Sequence, residues 1–148
     1  MFNVYGPRQS ISNPYQGVLA IFIGNVLRGE PITIHGDGLQ TRDFVFVDDV
    51  VDAWLRILAI PETDGAVLNI GSGVETSVEN LADAVLTAFG ESSKTWKIRH
   101  EDVQLGDQRR ACASVAAIGR HGWSPSTDFF EGVARTVSWA RENVSRDD

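Results

Sequence analysis

The chain has 148 residues, 43% hydrophobic and 22% charged, with a formal net charge of −7. That length and mix fit one soluble globular domain of ordinary size. The acidic balance argues against a general nucleic-acid binder, which shows a basic face, and no apolar run approaches the roughly 20 residues of a membrane span.

Phe2-Asn3-Val4-Tyr5 reads as a buried strand and its exit, and Gly6-Pro7 as the turn that ends it. From Pro14 to Arg28, Val18, Leu19, Phe22, Ile23, Val26 and Leu27 recur at spacings of one, three and four, the apolar stripe of a helix. Gly29-Glu30-Pro31 stops that helix. Ile32-Thr33-Ile34 is a short strand closed by Gly36-Asp37-Gly38, and Phe44 to Val47 is another. Asp48 is placed to cap the next helix, which carries Val50, Val51, Trp54, Ile57 and Leu58 and stops at Pro61.

Residues 66–70, Ala-Val-Leu-Asn-Ile, form the continuous apolar run of a strand buried on both faces. Thr76-Ser77-Val78-Glu79 has the spacing of a capping box and opens a helix carrying Leu81, Val85, Leu86 and Phe89, which ends at Gly90. Thr95 to His100 reads as a strand and Ser114 to Arg120 as a short helix closed by Gly122. The last helix runs from Ser126 to about Asn143 with Phe129, Phe130, Val133, Val137 and Ala140 inward, and a frayed tail of Arg146-Asp147-Asp148 follows. Strands alternate with helices, so the class is α/β. The strands are too few and too short to make a doubly wound sheet by themselves.

The chemistry-bearing residues are sparse. Gly71-Ser72-Gly73 between a strand and a helix invites a phosphate-loop reading. The dinucleotide fingerprint needs a third glycine where Thr76 stands, and no Gly-Lys-Ser/Thr occurs, so a plain strand-to-helix turn is the simpler reading. His35, His100 and His121 lack metal-ligand spacing. Asp48, Asp49 and Asp52 read as a dipole-matched helix start rather than an acid–base pair. Cys112 is the one cysteine, which excludes an internal disulfide and points to a reducing, cytoplasmic setting, and the start of the chain shows no secretory signal.

Three segments, "FNVYGPRQ", "GEPITIHGDGLQTRDFVFVDDVVDAW" with "VLNIGSG", and "LGDQRRACASVAAIGRHGWSP", together resemble the extended short-chain dehydrogenase/reductases that act on nucleotide sugars, above all the UDP-glucose 4-epimerase-like members. The resemblance covers essentially the whole chain. It implies the C-terminal, substrate-binding portion of an extended Rossmann-fold enzyme, lacking the N-terminal dinucleotide-binding half. Residues 66–70 would then complete the missing sheet.

The family's mechanism uses a Tyr-x-x-x-Lys pair, the lysine lowering the tyrosine pKa. Here Gln9 follows Tyr5 by four, Leu19 follows Tyr15 by four, and the only lysines are Lys94 and Lys97. The resemblance therefore implies 4-epimerisation of a UDP-hexose through a 4-keto intermediate in the complete enzyme, with NAD as its cofactor. It implies no turnover and no NAD binding by this chain alone. Dehydration or decarboxylation of a related sugar nucleotide is the runner-up reaction, and a non-catalytic assembly or binding module the runner-up class.

By the same resemblance Asn3 would donate to a phosphate, Arg42 would be the main diphosphate ligand, and Asp107 would accept from ribose hydroxyls. The base would lie near Val18 and Leu19 and against the Ile34-His35 edge, with Phe2 beside the nicotinamide of the complete enzyme. Gln104 stands where the family commonly has a phosphate-binding arginine; it can donate a hydrogen bond but brings no charge. The blander readings are a strand-end role for Asn3, a surface Arg42–Asp43 pair and a turn carboxylate at Asp107. Arg109 and Arg110 are phosphate ligands or solvated charges, one of them paired with an acid. Expected partners are a nucleotide sugar and a second copy covering the exposed strand 66–70 or another apolar face, with no nucleic acid and no membrane.

Overall fold

The computed structural model describes residues 1–11, 13 and 17–144. The Pro14–Gln16 start expected for the first helix and the Arg146–Asp148 tail lie outside the described residues.

In chain order the elements are β1 (Asn3–Tyr5), α1 (Val18–Arg28), β2 (Ile32–His35), β3 (Thr41–Arg42), β4 (Phe44–Phe46), α2 (Val47–Leu58), a 3₁₀ turn (Pro61–Thr63), β5 (Thr76–Ser77), α3 (Val78–Phe89), β6 (Ile98–Glu101), α4 (Ala116–Gly119) and α5 (Phe129–Asn143). They form three two-stranded pairs: β1 with β4 and β2 with β6, both parallel, and β3 with β5, antiparallel. The alternation of strand and helix gives the expected α/β class.

The central feature is β4. Successive side chains of a strand point to opposite faces. Phe44 and Phe46 therefore join Tyr5 in the main core, with α1, α3 and α5, while Val45 turns into a second core with Val50, Ala53, Ile70, Ile118 and Trp123. Both faces are covered, which is why the sequence here is an unbroken apolar run. In the main core Tyr5 meets Phe44, Phe46 and Phe129 edge to face, and its hydroxyl donates to the Phe129 carbonyl at 3.2 Å. Gly132 lets α5 come this close: a Cβ there would collide with the Tyr5 hydroxyl and stand 3.0 Å from the Phe46 ring.

Several local expectations shift. The N-cap of α2 is Phe46, so Asp48 sits in the first turn and its carboxylate pairs with Arg135 at 2.6 Å. Ser77, not Thr76, caps α3 by accepting from the Asn80 N–H at 3.1 Å. The Glu79 N–H that a Thr76 cap needs already donates to the Gly38 carbonyl. Asp128 caps α5, accepting from Phe130 and Glu131 N–H, which starts that helix later than Ser126 and leaves Phe130 60% exposed rather than inward.

The apolar stripe of α2 is only partly covered: Val50 and Ala53 are buried, whereas Val51, Trp54, Leu55 and Leu58 are exposed. Residues 66–70 belong to no strand. The Ile70 carbonyl accepts from Phe2 N–H at 2.9 Å and Ile70 is buried, but Val67 is 94% exposed, so within this chain the run is not covered on both faces.

Candidate functional site

Asp43 and its neighbours fix the geometry of the site. Asp43 is fully buried beside β4, and among the described residues no cation pairs with it. Its carboxylate accepts from Ser72 N–H (2.6 Å), Ser72 hydroxyl (2.7 Å), Gly73 N–H (2.9 Å) and Ala113 N–H (2.9 Å). A buried carboxylate is tolerated when several donors replace its water. The same residue's carbonyl accepts from both the backbone N–H and the side-chain amide of Asn3, at 3.0 and 3.1 Å. One aspartate thus ties β1, the Gly71-Ser72-Gly73 turn and the 111–113 segment around the end of β3.

This settles what the glycine turn does. A dinucleotide pyrophosphate needs free main-chain N–H groups at such a turn. Here those of Ser72 and Gly73 are taken by Asp43, and a Cβ at Gly71 would stand 2.8 Å from the Asp43 carboxylate. Gly71 is small to admit an internal anion, and the turn does not fit a cofactor phosphate.

Between β2, α1 and the segment after β6 lies a cavity of about 410 Å³. Its walls include Asn3, Val18, Ile34, His35, Arg42, Gln104 and Asp107, seven of the eight residues picked from the sequence as substrate contacts. The eighth, Leu19, is 1% exposed and turns into the main core. One helical residue is about 100° of rotation, so α1 gives Val18, Ile21 and Phe22 to the cavity while Leu19, about 100° round from Val18, packs into the main core, which Phe22 also reaches. Phe2 is half-buried and outside the cavity wall.

Arg42 lines this cavity. Its guanidinium donates to Asp107 and to the main-chain carbonyls of Gln108 (2.6 Å) and Thr41 (2.7 Å). It does not pair with Asp43, as the surface-pair reading had it. Arg109 and Arg110 point elsewhere, to Asp37 at 2.6 Å and Glu75 at 2.9 Å. Arg109 holds the exposed Asp37 carboxyl below the usual carboxylate range.

The sequence reading missed Thr33, Gln40, Ile21, Phe22 and Val78 on the same walls. Gln40 is 7% exposed and its amide donates to the His35 carbonyl at 2.7 Å, fixing the end of β2. The ring of His35 donates from Nδ1 to the Asp102 carbonyl at 3.3 Å, drawing the 102–110 segment across the cavity. Among the described residues no group of three His, Cys, Asp or Glu could hold a metal, and no helix is long and apolar enough to cross a membrane.

Chemically, the cavity lining combines an arginine, three amide side chains (Asn3, Gln40 and Gln104) and a carboxylate with the apolar Val18, Ile21, Phe22, Ile34 and Val78. That is an arrangement for a molecule with an anionic end and a flat or apolar end.

Residues 1–71 match the model of the NAD dependent epimerase/dehydratase family. The chain is 42% identical over 140 residues to a UDP-glucose 4-epimerase of Mycolicibacterium smegmatis, covering 94% of this chain and 43% of that protein. It is 34% identical to a human dTDP-D-glucose 4,6-dehydratase, covering 95% and 40%. The solved UDP-glucose 4-epimerase of Thermotoga maritima with UDP-glucose superposes with a TM-score of 0.85 at 33% identity, over 97% of this chain and 45% of that one. The chain therefore spans less than half the length of the curated relatives it matches.

Proposed function

Because the chain belongs to the NAD dependent epimerase/dehydratase family, we propose that it is the nucleotide-sugar-binding portion of such an enzyme, with UDP-hexose 4-epimerisation as the reaction of the complete protein. The observation that carries the reading is the cavity itself: Arg42, Asn3, Gln104 and Asp107 share the walls of a space of about 410 Å³ with the apolar Val18, Ile21 and Ile34. A nucleoside diphosphate sugar has matching parts. Its diphosphate suits the Arg42 guanidinium and the Asn3 and Gln104 amides, its ribose diol suits the Asp107 carboxylate, and its base suits the Val18 and Ile34 wall beside His35. Within the binding step, Arg42 neutralises charge, Asp107 orients the ribose, and the 102–110 segment shields the ligand from water.

NAD supplies hydride chemistry in enzymes of this kind, but this chain offers no Tyr-x-x-x-Lys pair, and the Ser72 and Gly73 amides of its glycine turn are taken by Asp43. The role assigned to its residues is therefore binding, in a reducing, cytoplasmic setting. The similarity to the Mycolicibacterium epimerase favours epimerisation over the dehydration named for the human relative. Titration calorimetry with UDP-glucose tests the reading. Binding that weakens about tenfold or more in Arg42→Ala supports it; heat that is absent, or unchanged in Arg42→Ala, overturns it.

A second reading, a module that associates with itself, is favoured by the exposed apolar face of α2: Val51, Trp54, Leu55 and Leu58. Val67, in the run at residues 66–70, is a further apolar position open to a partner.

A further inference from the structure

A second cavity, about 500 Å³, opens where the C-terminal ends of α1, α3 and α5 converge. It shares no wall residue with the cavity that holds Arg42. The two lie at opposite ends of α1, which is about 16 Å long at 1.5 Å per residue.

We propose that this cavity is a binding site for a small aromatic carboxylate. Three features set the ligand class. The first is an aromatic wall. Trp96 is held in place by its indole N–H, which donates to the Glu30 carbonyl at 3.1 Å, and Phe89 is half-buried beside it. The second is a guanidinium placed over that wall: Arg141 stands 5.1 Å above the Phe89 ring centroid. Among the described residues Arg141 pairs with no carboxylate, whereas Arg28 across the cavity is already engaged by Glu30 at 3.0 Å and Asn25 at 3.1 Å. The third is the remaining lining, Val26, Leu27 and Val144, which is apolar.

An arginine over the Phe89 ring, in the same cavity wall as the Trp96 indole, offers a planar, bidentate seat for a carboxylate with an aryl group packed behind it. Glu91 also lines the cavity, and its carboxylate accepts from the Thr95 hydroxyl at 2.8 Å. That acid disfavours polyanions, so a monocarboxylate is favoured over a phosphate or a nucleotide. The volume exceeds that of a single-ring carboxylate and falls in the usual range of small-molecule sites. This inference stands apart from the nucleotide-sugar reading, since none of its residues belongs to that site.

The test uses 3-phenylpropionate as the probe and the Trp96 indole N–H resonance as the readout, assigned with Trp96→Phe. The site predicts a saturable shift at Trp96 that weakens about tenfold or more in Arg141→Gln, is unaffected by Arg42→Ala, and is lost when 3-phenylpropanol replaces the acid. Arg141 is exposed, so the Gln variant is expected to fold; an unchanged amide spectrum away from the cavity verifies it. Should Arg141→Gln fail to fold, competition by inorganic phosphate supplies the second measurement: phosphate must not displace the probe. An unmoved Trp96 resonance at millimolar probe, equal binding by the alcohol, or displacement by phosphate overturns the proposal.

Discussion

Arg42 and Asp107, which lie 65 positions apart in sequence, form an ion pair in the cavity wall, with side chains only 18% and 27% exposed. The guanidinium proposed to hold a diphosphate is thus occupied by an internal carboxylate. A ligand phosphate must take over a seat that Asp107 fills, and Asp107 must then turn to the ribose. Removing the charge at Asp107 separates the two steps. Asp107→Asn is expected to tighten inorganic pyrophosphate about threefold to tenfold, because a competing anion worth on the order of 1 kcal/mol is gone. The same variant is expected to weaken uridine, which lacks phosphate and relies on the diol contact. Calorimetry with the two ligands checks both directions, and a variant that weakens both sinks the exchange.

Asp43 carries a larger structural weight than either. Replacing it with alanine strands the N–H groups of buried Ala113 and half-buried Ser72, while that of the exposed Gly73 can turn to water. Each stranded donor costs about 1–3 kcal/mol, so Asp43→Ala is expected to lose about 3 kcal/mol or more in urea unfolding. Ser72→Ala removes one hydroxyl donor and is expected to lose about 1 kcal/mol. Equal losses in the two variants are incompatible with a hub at Asp43.

How much of this was legible beforehand differs from feature to feature. The stretch from Phe44 to Val47 announced a strand, found at Phe44–Phe46, but not that its two faces enter two cores. The run at residues 66–70, whose apolar pattern did suggest burial on both faces, forms no strand because nothing among the described residues covers Val67. The glycine turn was read as structural for want of a third glycine, but its real reason, the Asp43 carboxylate, lies 28–30 residues upstream and leaves no local trace. Thr76 and Ser77 are both competent caps, and the choice fell on the second because Gly38 had already claimed the Glu79 amide. Leu19 and Val18 are neighbours in one helical stripe, and only the rotation of α1 against α3 and α5 decides which one faces the cavity. Gln40 escaped notice since its partner is a main-chain carbonyl, which no side-chain pattern encodes.

Asp49 sets a pH dependence. Burial pushes its carboxyl up, but hydrogen bonds from Ser126 and Thr127 outweigh that and leave it below its ordinary value of 3.8. A group depressed in the folded state stabilises the fold above its unfolded pKa, and that contribution is lost as pH falls through the folded pKa. The chain is therefore expected to hold the Asp49 contribution in full at pH 5–7 and to lose it below about pH 3.8. Asp49→Asn removes the charge that Ser126 and Thr127 bind, so its deficit in urea midpoint should be largest near neutrality and shrink below that value. A deficit that stays constant from pH 7 to about pH 3 contradicts the assignment.

The outer face of α2 gives a last expectation. Leu55 is 67% exposed and Leu58 76%, one turn apart, with Trp54 and Val51 beside them. A contiguous apolar surface of this kind favours association, because burying it removes water from large side chains. A second copy is the simplest occupant, since the same face on two chains closes a symmetric dimer. Light scattering is expected to give a mass near twice that of the 16.2 kDa chain at high concentration. Leu55→Lys combined with Leu58→Glu should return the monomer without moving UDP-glucose affinity, because α2 contributes nothing to the cavity wall. A wild-type chain that scatters as a monomer at all concentrations removes the association reading. A double variant that stays dimeric moves the contact away from α2, toward the exposed run that includes Val67.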